Sequence, residues 1–306
     1  MRFSLWLWPY ERWGSVDAMA QGARRAEELG FDSVSVSDHV VAPVGKAGVG
    51  MTRLWPDWSV LTSFLAARTK RIRFVVSVVV PYRPLLVLAK QLATLDVVSG
   101  GRLTLAAAVG WSRPEFQLLG VDAGERGSIT DEYLRAMKIL FTEPTPHFSG
   151  RFVSFDDIVF EPRCEQQPHL PIWVAGGSGP RLIDRLLRLG DGWMPMGGPL
   201  DDALRTTVGD IRARLTEHGR NVEAMTFRYT IGVGAANAAL EAISASIQVE
   251  RSSVVGDYSS PDAIAAEVRR YADAGFNELA LNCSGARFAE VMEQLDWFGR
   301  EVMPLL

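Results

Sequence analysis

Two short stretches of the chain hold residue types that can do chemistry together. Ser37-Asp38-His39 closes the alternating run Phe31-Asp32-Ser33-Val34-Ser35-Val36. An acid beside a histidine at the carboxyl end of a strand can hold, orient or exchange a proton, because imidazole changes charge near neutral pH. The bland alternative is that Asp38 caps the next turn and His39 is a satisfied, half-buried ring. The second stretch, Ala175-Gly176-Gly177-Ser178-Gly179-Pro180, joins an apolar strand to a helix. Its glycines let backbone approach a ligand, while its N–H groups and the positive helix end attract an anion, most often a phosphate. Pro180 suits the first helical turn, where a missing N–H costs nothing. Without a ligand the same stretch is a tight strand-to-helix turn. Ser77-Val78 lies near the end of a third strand, and Gly110-Trp111-Ser112 ends a fourth. Trp6, Trp8, Trp55 and Trp111 also fall near strand ends, and an aromatic mouth suits a planar cofactor or an apolar substrate.

The elements that position these residues alternate. Strands are expected at Phe3 to Trp8, Asp32 to Ser37, Ile72 to Val80, Arg102 to Val109, Pro171 to Ala175, Asp191 to Met194, Thr226 to Val233 and Glu278 to Asn282. Ile72 to Val80 is apolar on both faces, as a parallel strand covered on both sides should be. Helices fall between them. Ser15 caps the first, whose apolar face reads Val16, Met19, Ala20, Ala23, Ala26 and Leu29 before Gly30. Further helices are expected at 57–68, 84–99, 130–141, 180–189, 201–218, 237–248, 261–274 and 287–303. Between Gly110 and Gln167 the rhythm breaks into a loop with a short helical piece, then a helix, then a hairpin turning at Ser149-Gly150. Eight strands separated by helices predict an α/β fold, a (β/α)8 TIM barrel in one domain spanning residues 1–306, with an insertion at about 110–170 and another near the sixth strand. A doubly wound sheet would place a glycine-rich turn after its first strand. Here Pro9-Tyr10-Glu11-Arg12-Trp13-Gly14 stands there. At the carboxyl end of such strands barrel enzymes keep their chemistry.

Composition narrows the function. The chain has 306 residues, 47% apolar and 22% charged, which fits one large barrel and excludes a disordered or collagen-like chain. Net charge is −4, and the densest basic cluster, Lys70-Arg71-Ile72-Arg73, reads as a solvated turn, so nucleic acid is not expected as a partner. The two cysteines, Cys164 and Cys283, lie far apart and are expected as reduced thiols in a cytoplasmic protein. The first apolar run is too short for a signal core, and no stretch reaches the ~20 residues that cross a bilayer. No HExxH, nucleophile elbow or Walker loop occurs, the four histidines lack ligand spacing, and no metal is expected. No carboxylate pair is placed for glycoside hydrolysis.

Taken in order, the motifs resemble the luciferase-like flavin and deazaflavin oxidoreductases over nearly the whole chain. The likeness rests on Val36-Ser37-Asp38-His39, Ser77-Val78 before Pro81, Val109-Gly110-Trp111-Ser112, Glu115-Phe116, Leu119-Gly120-Val121-Asp122, Glu125-Arg126-Gly127, Asp131-Glu132-Tyr133, Phe148-Ser149-Gly150-Arg151-Phe152, Pro171-Ile172-Trp173-Val174-Ala175-Gly176-Gly177 and Gly190-Asp191-Gly192-Trp193. It is most similar to the actinobacterial branch that uses coenzyme F420, a 5-deazaflavin that transfers hydride. The resemblance implies that His39 stands beside the reactive carbon of the cofactor and that Asp38 contacts the cofactor. It implies that Ser77-Val78 forms a bulge with a non-prolyl cis peptide behind the ring. Ala175, Gly176, Gly177 and Ser178 would hold the cofactor phosphate, and Gly110 and Trp111 would line the mouth. The implied activity is hydride transfer between F420 and a small organic substrate. The alternative is an FMN-dependent monooxygenase using reduced flavin and O2, and a third reading is a non-catalytic cofactor-binding barrel. A homodimer is also implied. The chain departs from the glucose-6-phosphate dehydrogenases of this family, which carry an aromatic residue just after the histidine, where Val40-Val41-Ala42-Pro43 stands. Their acidic partner after the fourth strand has no secure counterpart, since Arg113-Pro114-Glu115 stands in that region. That sugar phosphate is therefore not the expected substrate.

Overall fold

The computed structural model describes residues 1–43, 52–195, 200–233, 254–255, 260–283, 285 and 287–306. In chain order the strands are β1 (Arg2–Trp6), β2 (Ser33–Ser37), β3 (Arg73–Val79), β4 (Leu103–Ala108), β5 (Phe148–Ser149), β6 (Ser154–Phe155), β7 (Ile172–Ala175), β8 (Gly192–Met194), β9 (Thr226–Val233), β10 (Val254–Val255) and β11 (Glu278–Cys283). The helices are α1 (Val16–Leu29), α2 (Trp58–Ala67), α3 (Leu85–Ser99), α4 (Arg113–Leu118), α5 (Arg126–Thr142), α6 (Pro180–Leu189), α7 (Asp202–Glu217), α8 (Pro261–Asp273) and α9 (Phe288–Trp297).

Eight strands pair in the parallel order β9-β11-β1-β2-β3-β4-β7-β8, and β8 pairs back onto β9 to close the ring. The expected α/β barrel is the fold observed. β8 is only three residues long and meets β9 at Thr226 and Phe227. Further along the same edge, β10 pairs with Gly232 and Val233. The hairpin is β5–β6, outside the barrel. It follows α4 and α5 in the segment between β4 and β7, where the insertion is expected. The expected helix at 237–248 lies outside the described residues, as does part of the segment near β8.

Strand alternation sorts the barrel into two environments. Outward positions such as Leu5, Val34, Val36, Val76, Val78, Leu105, Val174 and Leu281 join helix residues in one large apolar core. The inward positions are smaller and more polar. Register places Ser35, Val75 and Thr104 at one level and Ser37, Ser77 and Ala106 at the next. Helix ends follow local chemistry. Ser15 Oγ accepts from the Ala18 N–H at 3.1 Å, and Gly30 ends α1 with φ +87°. The face of α1 turns slightly from the expected one. Ala18, Met19, Ala20, Ala23 and Ala26 are buried, whereas Val16, in the first turn, is 48% exposed.

Candidate active site

His39 lies just past the carboxyl end of β2. Tyr10 fixes that strand end: its hydroxyl donates to the Ser37 carbonyl at 3.0 Å and accepts from the Ser37 N–H at 2.7 Å. Burial raises the Tyr10 pKa, so the phenol stays protonated and can keep both roles. Asp38 turns inward. Its two oxygens form a fork with Arg83 at 2.6 and 2.8 Å, and Oδ2 also accepts the Val79 N–H at 3.1 Å. Burial pushes this carboxyl up, while the paired carboxylate holds the Arg83 guanidinium above its ordinary value. The fork ties the end of β2 to the end of β3, and Asp38 acts on the site through that tie.

The His39 ring is held from one side by Glu115. Nδ1 lies 2.7 Å from Glu115 Oε2, which also accepts the Tyr82 hydroxyl at 2.9 Å. Oε1 accepts the Val40 and Val41 N–H groups at 2.6 and 3.2 Å. Glu115 is 0% exposed. Burial alone would raise its pKa, but the bonds from His39, Val40 and Tyr82 outweigh it and hold the carboxyl below the usual range. A carboxylate only accepts, so Nδ1 carries a proton toward Glu115 and Nε2 is the nitrogen left to exchange one. Burial, with the Glu115 charge next, raises the Tyr82 pKa and keeps that phenol a donor. Two indoles meet the imidazole edge-on, Trp55 at 4.6 Å and Trp111 at 5.7 Å between ring centroids. Trp111 is 39% exposed, as a residue at an open mouth should be. Trp6 stacks on Trp8 at 5.1 Å, but Trp8 is buried in the outer core and does not line the mouth.

Glu115 reaches His39 because of Gly110. That residue has φ +79°, and a Cβ there would stand 2.6 Å from Val79 Cγ1 and 2.9 Å from Phe116 Cζ. Only glycine lets the chain turn this tightly off β4 and lay α4, with Glu115 and Phe116, against the end of β3. Glu115, from the Arg113-Pro114-Glu115 stretch, is thus brought to His39 by tertiary contact rather than local spacing. An aromatic ring beside His39 likewise comes from further along the chain, Trp55.

The glycine loop follows β7 at the same end of the barrel, three strands around from β2. The Gly176 N–H donates to Met194 O at 3.0 Å, and the Gly177 carbonyl accepts the Trp193 indole at 3.3 Å. Gly177, Ser178 and Gly179 are exposed, and Gly179 precedes Pro180 at the start of α6. Ala175 beneath them is buried in an inward cluster with Val75, Ala106, Trp173 and Met194. Ser77 faces inward and is partly exposed. The expected bulge at Ser77-Val78 is not formed. β3 keeps unbroken register with β4 through Ser77, Val78 and Val79, and the cis peptides among the described residues precede Pro9, Pro162 and Pro168. A continuous ladder leaves no extra residue to bulge, and the Val78 side chain packs outward in the helix-facing core, away from the hollow.

The closed barrel thus carries a carboxylate-held histidine and an exposed glycine loop at one mouth. The model of the luciferase-like monooxygenase family matches residues 3–259, and the chain belongs to that family. It is 32% identical over 181 residues to an FMNH2-dependent dimethylsulfone monooxygenase of Pseudomonas putida, covering 58% of this chain and 49% of that enzyme. The chain thus spans about half the length of that curated relative. It is 29% identical over 325 residues to an F420-dependent glucose-6-phosphate dehydrogenase of Kineococcus radiotolerans, covering 94% of this chain and 92% of that enzyme. In fold it is similar to monooxygenase RslO1 from Streptomyces bottropensis, with TM-score 0.83, 23% identity and 99% of both chains covered. The family holds both F420-dependent and FMN-dependent oxidoreductases. No described helix is long and apolar enough to cross a membrane.

Proposed function

We propose that this chain is an oxidoreductase that moves hydride between coenzyme F420 and a small organic substrate, with His39 as its proton-exchanging residue. The observation that carries the reading is the His39–Glu115 contact, which fixes one ring nitrogen and leaves Nε2 for the substrate side. The residues fit a flat, anionic-tailed cofactor. Partly exposed inward positions at Trp6, Ser37, Ser77, Ala108 and Thr230 leave an opening for a ring, and the exposed Gly177 and Ser178 before α6 offer N–H groups to a phosphate, the Gly176 N–H being held by Met194 O. When bound, F420 supplies a two-electron hydride acceptor. As the substrate carbon loses hydride, Nε2 takes the proton released from its hydroxyl, and Glu115 stabilises the resulting imidazolium. In the reverse direction the same nitrogen returns the proton. Trp55 and Trp111 pack against the imidazole and help fix its orientation. F420 is favoured because the F420-dependent relatives align over nearly the whole chain, whereas the FMNH2-dependent dimethylsulfone monooxygenases match over only about half of their own length.

The second reading, a monooxygenase using reduced FMN and O2, is favoured by the higher identity of that shorter match. Titrating the protein with F420 and with FMN, under air and under nitrogen, separates the two. F420 binding below the millimolar range with no oxygen uptake is expected. Tight FMN binding, with FMNH2 and O2 together giving an oxygenated product, would install the monooxygenase, and failure of both cofactors to bind would leave a non-catalytic barrel. The proposal extends to a small-molecule substrate, a homodimer and a cytoplasmic location, with neither nucleic acid nor membrane as a partner.

A further inference from the structure

The turn that leaves β3 reaches both carboxylates beside His39. Val80, Pro81 and Tyr82 form one turn of 3-10 helix, and Arg83 follows it. Arg83 forks onto Asp38, the residue before the histidine. Tyr82 donates at 2.9 Å to Glu115 Oε2, the oxygen that lies 2.7 Å from His39 Nδ1. Two adjacent side chains thus grip the acid that precedes the imidazole in the chain and the acid that faces it in space. The Tyr82 ring is held apart from its hydroxyl. It is 5% exposed, packs with Val79 and Phe116, and meets the Phe116 ring edge-on at 4.8 Å.

The bland reading is that a buried phenol needs an acceptor and finds one in Glu115. The donors around that carboxylate argue for more. The Val40 and Val41 N–H groups occupy Oε1, and His39 occupies Oε2, so Glu115 is held without the phenol. Tyr82 is the fourth donor, and it shares its oxygen with the imidazole. Each donor to a carboxylate favours the charged form and makes it a weaker base. A carboxylate that pulls on one ring N–H of a histidine makes the other nitrogen more basic. A second donor on the same oxygen weakens that pull. The other charged groups at this place are Asp38 and Arg83, with Asp57 lying 3.9 Å from Arg83. Burial, with the Glu115 charge next, pushes the Tyr82 phenol up, so near neutral pH it acts as a neutral donor.

We propose that Tyr82 is a positioning residue whose hydroxyl takes up part of the charge on Glu115 Oε2 and so sets how strongly that oxygen holds the His39 Nδ1 proton, and through it how readily Nε2 accepts one. The inference rests on the reading of His39 as the proton-exchanging residue. Its test needs neither cofactor nor turnover. The His39 Nδ1 proton is followed by NMR, on protein labelled at its histidine nitrogens, in the wild type, in Tyr82→Phe and in a chain with 3-fluorotyrosine at position 82. Loss of the hydroxyl returns charge to Oε2 and strengthens the bond from Nδ1, so the proton resonance should move downfield by more than its line width. Fluorination makes the phenol a stronger donor and should move the same resonance upfield. A proton unmoved in either folded variant, or moved in one direction by both, overturns the proposal and leaves Tyr82 a packing residue. Should Tyr82→Phe fail to fold, the fluorinated chain, which differs from the wild type by one atom, decides alone. Failure here leaves the hydride reading to the F420 titration, and failure of F420 to bind leaves these opposite shifts standing.

Discussion

At the scale of single residues, the site is a histidine whose direction is set by its neighbours. Four donors converge on Glu115, and one of them is His39. Replacing His39 with Ala removes the proton-exchanging nitrogen and should reduce turnover by about a hundredfold or more while cofactor affinity stays within a small factor, read by steady-state rates beside fluorescence titration. Glu115→Gln keeps the shape but offers its NH2 group or a neutral oxygen where a carboxylate accepted four bonds. It should lower kcat more than it raises KM, because its effect falls on the proton step. The same residue sets a pH dependence. Its folded pKa lies below its ordinary value of 4.5, so folding favours the ionised form. That stabilisation is complete above about pH 4.5 and is lost as pH falls through the lower folded value. Acid denaturation of Glu115→Gln should therefore show a shallower loss of stability below pH 4.5 than the wild type, and identical slopes would contradict the assignment. Both cysteines are buried, and burial pushes their thiols up to about 12. Alkylation of the native protein near neutral pH should be slow, and fast labelling would contradict that placement.

Among the elements, the turn from β4 into α4 decides whether the site exists. Gly110 is the hinge of that turn, and its added Cβ would strike Val79 and Phe116. Gly110→Ala combines a left-handed backbone with overlap and should destabilise the fold by about 1–3 kcal/mol, read as a lower Tm, and separate Glu115 from His39. If Gly110→Ala melted like the wild type, with its activity unchanged, the turn would not be what places Glu115. This scale also shows how far the chain could be read before the structure. Asp38-His39 and the Gly176-Gly177 loop were legible because each sits where a strand period ends, a local signal. Glu115 was visible in Arg113-Pro114-Glu115, but its contact spans 76 residues and depends on the left-handed Gly110, which spacing does not show. Tyr82 and Arg83 directly follow β3, and the rule that strand ends carry the chemistry would have found them. The expected cis peptide at Ser77-Val78 came from family likeness alone, and the regular ladder of β3 replaced it.

For the whole molecule, the barrel brings two distant stretches to one rim. β2 and β7 are separated by β3 and β4, so His39 and the diglycine loop stand across the mouth rather than side by side. A planar cofactor bridging that span would place its ring by the imidazole and its anionic tail at the start of α6. The central claim is that His39 presents Nε2 to this hollow while Nδ1 is held by Glu115. The most direct test is long-range nitrogen–proton NMR on protein labelled at its histidine nitrogens, with His39 assigned by His39→Gln, before and after adding F420. A neutral His39 is predicted to carry its proton on Nδ1, and its Nε2 resonance alone should move strongly when F420 binds. A proton on Nε2 with Nδ1 bare, or an Nε2 signal indifferent to the bound cofactor, would contradict the account.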